Sequence, residues 1–422
     1  MLLNIKLKDV DFIFILFLLL VTQSNIQLKL VGIFLILILR INAIQKINFF
    51  GIFYLVLLLF HLSFGLITLL STGIDYLASY ILVFLFWSLS LIIYTQLAYF
   101  VKNNSLKKIS LTLNVFFLIC VFVIVLQYIF TAINLQSINP YSVSPAAGDK
   151  MMSIFSNSSV SMIIMSFFFL KYLFENKWFL GSISFICLIM ATYMSGTVLF
   201  LGSIFLGIFF FSKIDIKYKL YFIIITFLFI ATFSFISPAN IDYAMGYINR
   251  IWNNGNDTPF KIKSFFQTFE YWTSSIRSFV FGAGGGNFSS RVAFITSGDY
   301  VGWFPDILSY ISEEFKQYHL GIWTHDFNNP WDNRNNTANQ PFSFYNQIIG
   351  EYGLIGVLIF ICFYLGFILK KWPILTYSKF LLLALTGYFL LDYWFEYFSV
   401  IIIFELFLLI DIKHNTKNSY NE

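Results

Sequence analysis

The chain predicts an all-α, polytopic membrane protein: a bundle of about 12 spans with one large, partly helical loop on the outer side. Three observations carry this. Of 422 residues, 59% are hydrophobic and only 11% are charged, less than half the charged share of a typical soluble domain. The apolar residues fall into runs near 10–22, 27–41, 48–70, 76–100, 110–133, 152–173, 178–194, 196–212, 218–237, 345–369, 374–391 and 396–411. The basic residues alternate from one side of these runs to the other.

Several runs are long enough to cross a hydrocarbon core of about 30 Å at 1.5 Å per residue. In lipid an unpaired backbone has no hydrogen-bond partner, so every spanning run must be helix. The first two runs are short and read either as tilted spans or as one hairpin. With the N-terminus inside, seventeen Lys and Arg lie on inner segments and only Lys29 and Lys150 on short outer loops. This is the bias that orients membrane proteins. The domain reading is 1–237 for the first nine spans, 238–344 for the outer loop, 345–411 for three more spans, and 412–422 for an inner tail.

The net charge of +5 gives no case for nucleic acid, because the basic residues are scattered between apolar runs. Cys120, Cys187 and Cys362 lie inside such runs, without metal-ligand spacing and without a disulfide framework. The first run lacks a cleavage site and reads as a retained span.

The loop is the part with ordinary polar composition. Loops of this length are functional or disordered, and its Trp252, Trp272, Trp303, Trp323 and Trp331 argue for burial. Residues 261–281 have helical apolar spacing through Ile262, Phe265, Phe266, Phe269 and Trp272, which predicts a helix on the membrane surface. The chain has 21 Lys and 5 Arg, yet Arg250, Arg277, Arg291 and Arg334 all fall in the loop. Arg offers a rigid fork of donors that clamps phosphate or carboxylate.

Three motifs then resemble the O-antigen polymerase and O-antigen ligase superfamily. The loop ends in Asn339-Gln340-Pro341-Phe342-Ser343-Phe344-Tyr345-Asn346-Gln347-Ile348-Ile349-Gly350-Glu351-Tyr352-Gly353-Leu354-Ile355-Gly356, similar to the family's re-entry into the membrane. Upstream, Arg277-Ser278-Phe279-Val280-Phe281-Gly282-Ala283-Gly284-Gly285-Gly286-Asn287-Phe288 looks like its Gly-rich loop. Thr192-Tyr193-Met194-Ser195-Gly196-Thr197 looks like its Ser-Arg helix start. The three occur in family order over roughly residues 178–370. Two departures favour polymerase over ligase: Phe342-Ser343 stand where ligases carry a His-Asn pair, and Gly196 replaces the motif's Arg.

The resemblance implies a GT-C-like fold in a bacterial inner membrane. It implies a glycosyltransferase polymerising undecaprenyl-diphosphate-linked repeat units into an O-antigen or capsule; the loop's acidic residues lack metal-ligand spacing, so the expectation is metal independence, without cofactor. Its partners would be lipid-linked glycans as donor and acceptor, membrane lipid and a chain-length regulator. The alternatives are a ligase of the same fold and a lipid-linked oligosaccharide flippase. Fixed cations at the leaving diphosphate lower the barrier, which nominates Arg250, Lys263, Arg277 and Arg291, with backbone donors of Gly284, Gly285 and Gly286. Attack by a hydroxyl is helped by a base. The candidates are His325 with adjacent Asp326, then His319, Glu313 and Glu314. His61 reads as a neutral histidine bonded to a neighbouring helix, and Glu351 as a helix-start carboxylate. Asp392 and Glu396 sit in an acidic-aromatic outer turn, and Glu405 lies mid-span.

Overall fold

The computed structural model describes residues 9–23, 26–41, 49–211, 216–238, 259–298, 303–321 and 340–418, with 241–242, 245–246, 249 and 301. Among these the chain is helical, with no strand. The helices are α1 Phe12–Val21, α2 Ile26–Leu39, α3 Phe49–Thr72, α4 Leu77–Asn103, α5 Leu106–Asn134, α6 Ser158–Phe174, α7 Trp178–Met190, α8 Met194–Leu206 and α9 Ile216–Ile236. The loop contributes α10 Phe260–Thr273, α11 Ile276–Phe281 and α12 Arg291–Thr296. The chain closes with α13 Phe344–Ile359, α14 Tyr377–Tyr388 and α15 Phe398–Asn418.

Each of the twelve apolar runs falls on a helix. Among the described residues, four helical stretches are long and apolar enough to cross a membrane: Phe50–Thr72, Ile74–Asn103, Leu106–Asn134 and Phe344–Ile374. Five more apolar helices are shorter, among them α1 and α2, which pack on each other as the hairpin reading expects. Helix starts follow local chemistry. Asp11, Ser105, Asn157 and Ser343 each accept a backbone N–H from the first turn of α1, α5, α6 and α13, satisfying a donor that the helix leaves open.

The bundle has two chemically distinct ends, and α4 measures the distance between them. Its 27 residues rise about 40 Å at 1.5 Å each. At its C-terminal end Lys413 Nζ donates to the Asn104 carbonyl at 2.6 Å. Nearby Arg40 meets Asp11 at 2.7 Å, the Asp11 amide donates to Thr112 at 3.0 Å, and Lys177 donates to Ser110 at 2.9 Å. At its N-terminal end the loop docks: Tyr76 donates to the Gly285 carbonyl at 2.6 Å and Ser79 to Thr296 at 3.1 Å. Among the described residues, basic turns thus gather at one end and the docked part of the loop lies at the other.

Two details differ from expectation. The tail expected over 412–422 is helix to Asn418, because Asp411 and Lys413 tie α15 to its neighbours. The helix expected over 261–281 is two, α10 and α11, because Ser275 caps a new start; the face of α10 against the protein is polar, with Lys261, Ser264 and Thr268 buried beside Tyr271. Phe266 and Phe269 point outward, 71% and 58% exposed. Carbonyls and hydroxyls at the end of the bundle draw the polar face inward, and this leaves the apolar face for another medium.

Candidate functional site

Two of the three motifs interlock. The Gly-rich turn lies against the start of α13, and its amides converge on Glu351. Gly286 N–H donates to Oε2 at 2.9 Å and Phe288 N–H to Oε1 at 3.1 Å. Ala283 and Gly284 N–H donate to the Gly350 and Glu351 carbonyls at 2.8 and 3.0 Å. Those carbonyls are open because α13 breaks at Gly353, whose φ of 58° is a left-handed value that glycine adopts without steric cost. The approach demands glycine on both sides. A Cβ on Gly353 would lie 2.7 Å from Val280 and Gly282 backbone atoms, and one on Gly282 (φ +73°) 2.5 Å from the Glu351 carbonyl carbon. The third motif borders the same end: the Tyr193 ring lies 6.5 Å from that of Trp394.

Beneath the turn is a nest of buried polar side chains. Glu396 accepts the Arg291 backbone N–H through Oε2 and the Gln347 amide through Oε1 at 2.8 Å. Asn346 donates to Ser264 and to the Pro341 carbonyl, both at 3.0 Å. Lys261 Nζ donates to the carbonyls of Phe342 and of Leu391, the latter at 2.7 Å. Burial pulls the Lys261 amine down from its usual range, against the attraction of Asp392. Burial likewise pushes the Asp392 carboxyl up, against Lys261 and Arg291. The Arg291 guanidinium lies over the Tyr397 ring at 4.7 Å, a cation–π distance.

The candidates from sequence divide as follows. Arg291 enters the nest. Arg277 is exposed and lines a separate polar cleft with Glu313 and Glu314. Lys263 lies half-buried over the Phe260 ring at 5.4 Å. Gly284, Gly285 and Gly286 are buried, and the amides of Gly284 and Gly286, expected to face a diphosphate, are donated to Glu351. His319, expected to act as a base on substrate, is fully buried against Phe288, ring centroids 4.4 Å apart. Its Nε2 lies 3.3 Å from Thr268 Oγ1. Burial first, and then Lys261, hold it down at about 3, so it is neutral at physiological pH. Glu351 is not at the helix start, where Ser343 caps α13; it is the acceptor of the Gly-rich turn. His325, Asp326 and Arg250 lie outside the described residues.

His61 bonds the Tyr80 carbonyl of α4 at 3.0 Å through Nε2, as expected of a neutral histidine between helices. Glu405 accepts from Tyr54 of α3 and so faces partner helices. Sequence reasoning missed Lys261. The signal was present in the spacing of Lys261, Ser264 and Thr268, which share one helix face, but apolar periodicity drew the eye to the opposite face.

Compared with protein-family models, curated proteins and solved structures, the chain matches none.

Proposed function

We propose that the chain is a bacterial inner-membrane glycosyltransferase that polymerises undecaprenyl-diphosphate-linked oligosaccharide repeat units into a surface polysaccharide. In this reading it crosses the membrane about twelve times, with the 238–344 loop outside. The observation that carries the reading is the meeting of two motifs that resemble one family. The Gly-rich turn and the Glu-x-Gly helix start are 65 residues apart at Gly286 and Glu351, yet each supplies the other's backbone partners.

The chemistry asked of the site is displacement at a sugar carbon. An acceptor hydroxyl attacks, the sugar–phosphate bond breaks, and the lipid diphosphate leaves with its electron pair. Arg291 sits where the loop meets the bundle, so its guanidinium is placed to meet charge that develops on a leaving group at the membrane surface. The proton of the attacking hydroxyl goes to a base, for which His325 with Asp326 remains the proposal.

Deleting the gene tests this. The expected product is a surface carrier bearing single repeat units in place of long chains. Unattached long chains would assign a ligase, and lipid-linked units held on the inner face would assign a flippase. In the complemented strain Arg291→Lys keeps the charge and removes the fork. Polymer should fall at least about tenfold, the cost of one charge-assisted hydrogen bond of roughly 1.5–3 kcal/mol, with the protein level in the membrane unchanged. Normal chains from Arg291→Lys would remove Arg291 from the mechanism.

A further inference from the structure

The loop carries a second polar feature that the nest does not use. Between α10–α11 and the short helix over Glu313–Leu320 lies an open cleft of about 270 Å³. Its walls present Arg277 and Gln317 as donors, Glu313 and Glu314 as acceptors, and Tyr318 as ring surface, with the edge of Tyr271, 6% exposed, behind it. We infer that this cleft binds a saccharide, neutral or bearing an amino group, as a glycan subsite outside the membrane.

Three features carry the inference. The first is the mixture of partners. A sugar ring displays hydroxyls that both donate and accept around a C–H face, and it is held by a few placed polar groups beside aromatic surface. The Tyr271 and Tyr318 rings form a corner, centroids 5.4 Å apart and tilted 59°, with the charged and amide groups around it. The second is charge. The carboxylates of Glu313 and Glu314 are matched by Arg277 and by Lys316 beside Glu313, so the cleft carries no positive excess to draw a diphosphate. Arg277 is therefore separated from the phosphate role to which its residue type alone assigned it. Glu313 is 87% exposed and 4.0 Å from Lys316, which leaves it a surface acceptor that water and a hydroxyl can share.

The third is position. Tyr271 stacks on Phe288 at 4.7 Å and 24°, and the Phe288 amide is held by Glu351. The floor of the cleft thus rests on the turn that joins loop to bundle. Burial raises the Tyr271 hydroxyl further above its usual value, so it stays a hydrogen-bond donor at any physiological pH. A glycan seated here would lie next to the nest without entering it, as a chain held during transfer requires. The choice of a glycan rests on the proposed function.

The test is calorimetric titration of the full-length protein in lipid nanodiscs. The probes are the repeat-unit oligosaccharide released from the host's own surface polysaccharide, and inorganic pyrophosphate. The saccharide should bind the wild type, and Tyr318→Ala and Arg277→Ala should each weaken it about tenfold or more, the loss of one good contact. Both positions are at least partly exposed, so neither variant opens a cavity. Pyrophosphate should not compete. Absence of saccharide binding, unchanged affinity in both variants, or displacement by pyrophosphate would each overturn the assignment. The polymerase reading stands or falls separately, on the deletion phenotype, which the titration does not consult.

Discussion

Changing Glu351 to Gln should loosen the Gly-rich turn without unfolding the bundle. The wild-type carboxylate accepts one amide at each oxygen, Phe288 N–H at 3.1 Å and Gly286 N–H at 2.9 Å. A glutamine keeps one oxygen and turns an NH2 toward the other amide. One accepted hydrogen bond is lost, worth roughly 0.5–1.5 kcal/mol, and a buried N–H is left without an acceptor, at roughly 1–3 kcal/mol. These costs overlap, so the expected weakening of turn docking is about 1–3 kcal/mol, or roughly 5- to 150-fold in its opening equilibrium. Amide hydrogen exchange of the nanodisc-embedded protein reads this directly, because local opening sets the exchange rate. Peptides covering 282–290 should exchange faster by that factor, while those from the middle of α5 should not change. Exchange in 282–290 within about twofold of wild type would refute the claim that Glu351 holds the turn.

Two further outcomes can be checked alongside. His319 is held at about 3 in the fold against about 6.5 unfolded, so below pH 6.5 the unfolded chain binds a proton that the folded chain refuses. Its stabilising contribution is complete above pH 6.5 and falls by about 1.4 kcal/mol per pH unit from there toward pH 3. Thermal unfolding at pH 7.5 and 5.5 should show a loss larger by that amount in the wild type than in His319→Gln; equal losses would show that another group titrates. Cysteines placed at exposed Gln317 and Lys107, in a chain whose own three are replaced, should react with an impermeant maleimide from opposite sides of the membrane. Reaction from one side would contradict the orientation read from the basic residues.

The helices were legible because lipid leaves few options. An apolar run must be helix, and each of the twelve runs is. The two-ended polarity was legible for a similar reason, since Arg40, Lys177 and Lys413 had to find water or carboxylates at one end. The site was legible only as fragments. The Gly-rich turn read equally well as a phosphate cradle, because both roles need free amides and closely approached backbone. What decides is the identity of the acceptor, and Glu351 is a long-range partner that no local pattern reveals. His319 failed as a surface base because its environment is set by Thr268 and Phe288, on other segments. Lys261 was overlooked because a lysine beside apolar residues reads as solvated, whereas here carbonyls of two distant turns receive it.

The junction between loop and bundle remains physically odd, and the oddity bears on function. Covering the end of a membrane bundle needs only apolar contact, and a chain with 55 Phe has no shortage of it. Yet Lys261, Asp392, Glu351 and Glu396 are all buried at this junction, with Arg291 beside them. Burying charge costs several kcal/mol per ion unless pairing is excellent, and apolar replacements of such groups are often neutral or better for stability. At the opposite end charged side chains are buried too: Lys171 is 1% and Asp11 8% exposed in their ion pairs, while Lys107 is 76% exposed. A nest of buried polar and titratable groups, held by backbone carbonyls and amides, is a preorganised field. Such a field favours a reaction that creates charge, because its dipoles need not turn when the charge appears. If the proposed polymerase function holds, departure of a diphosphate from a sugar is a reaction of that kind.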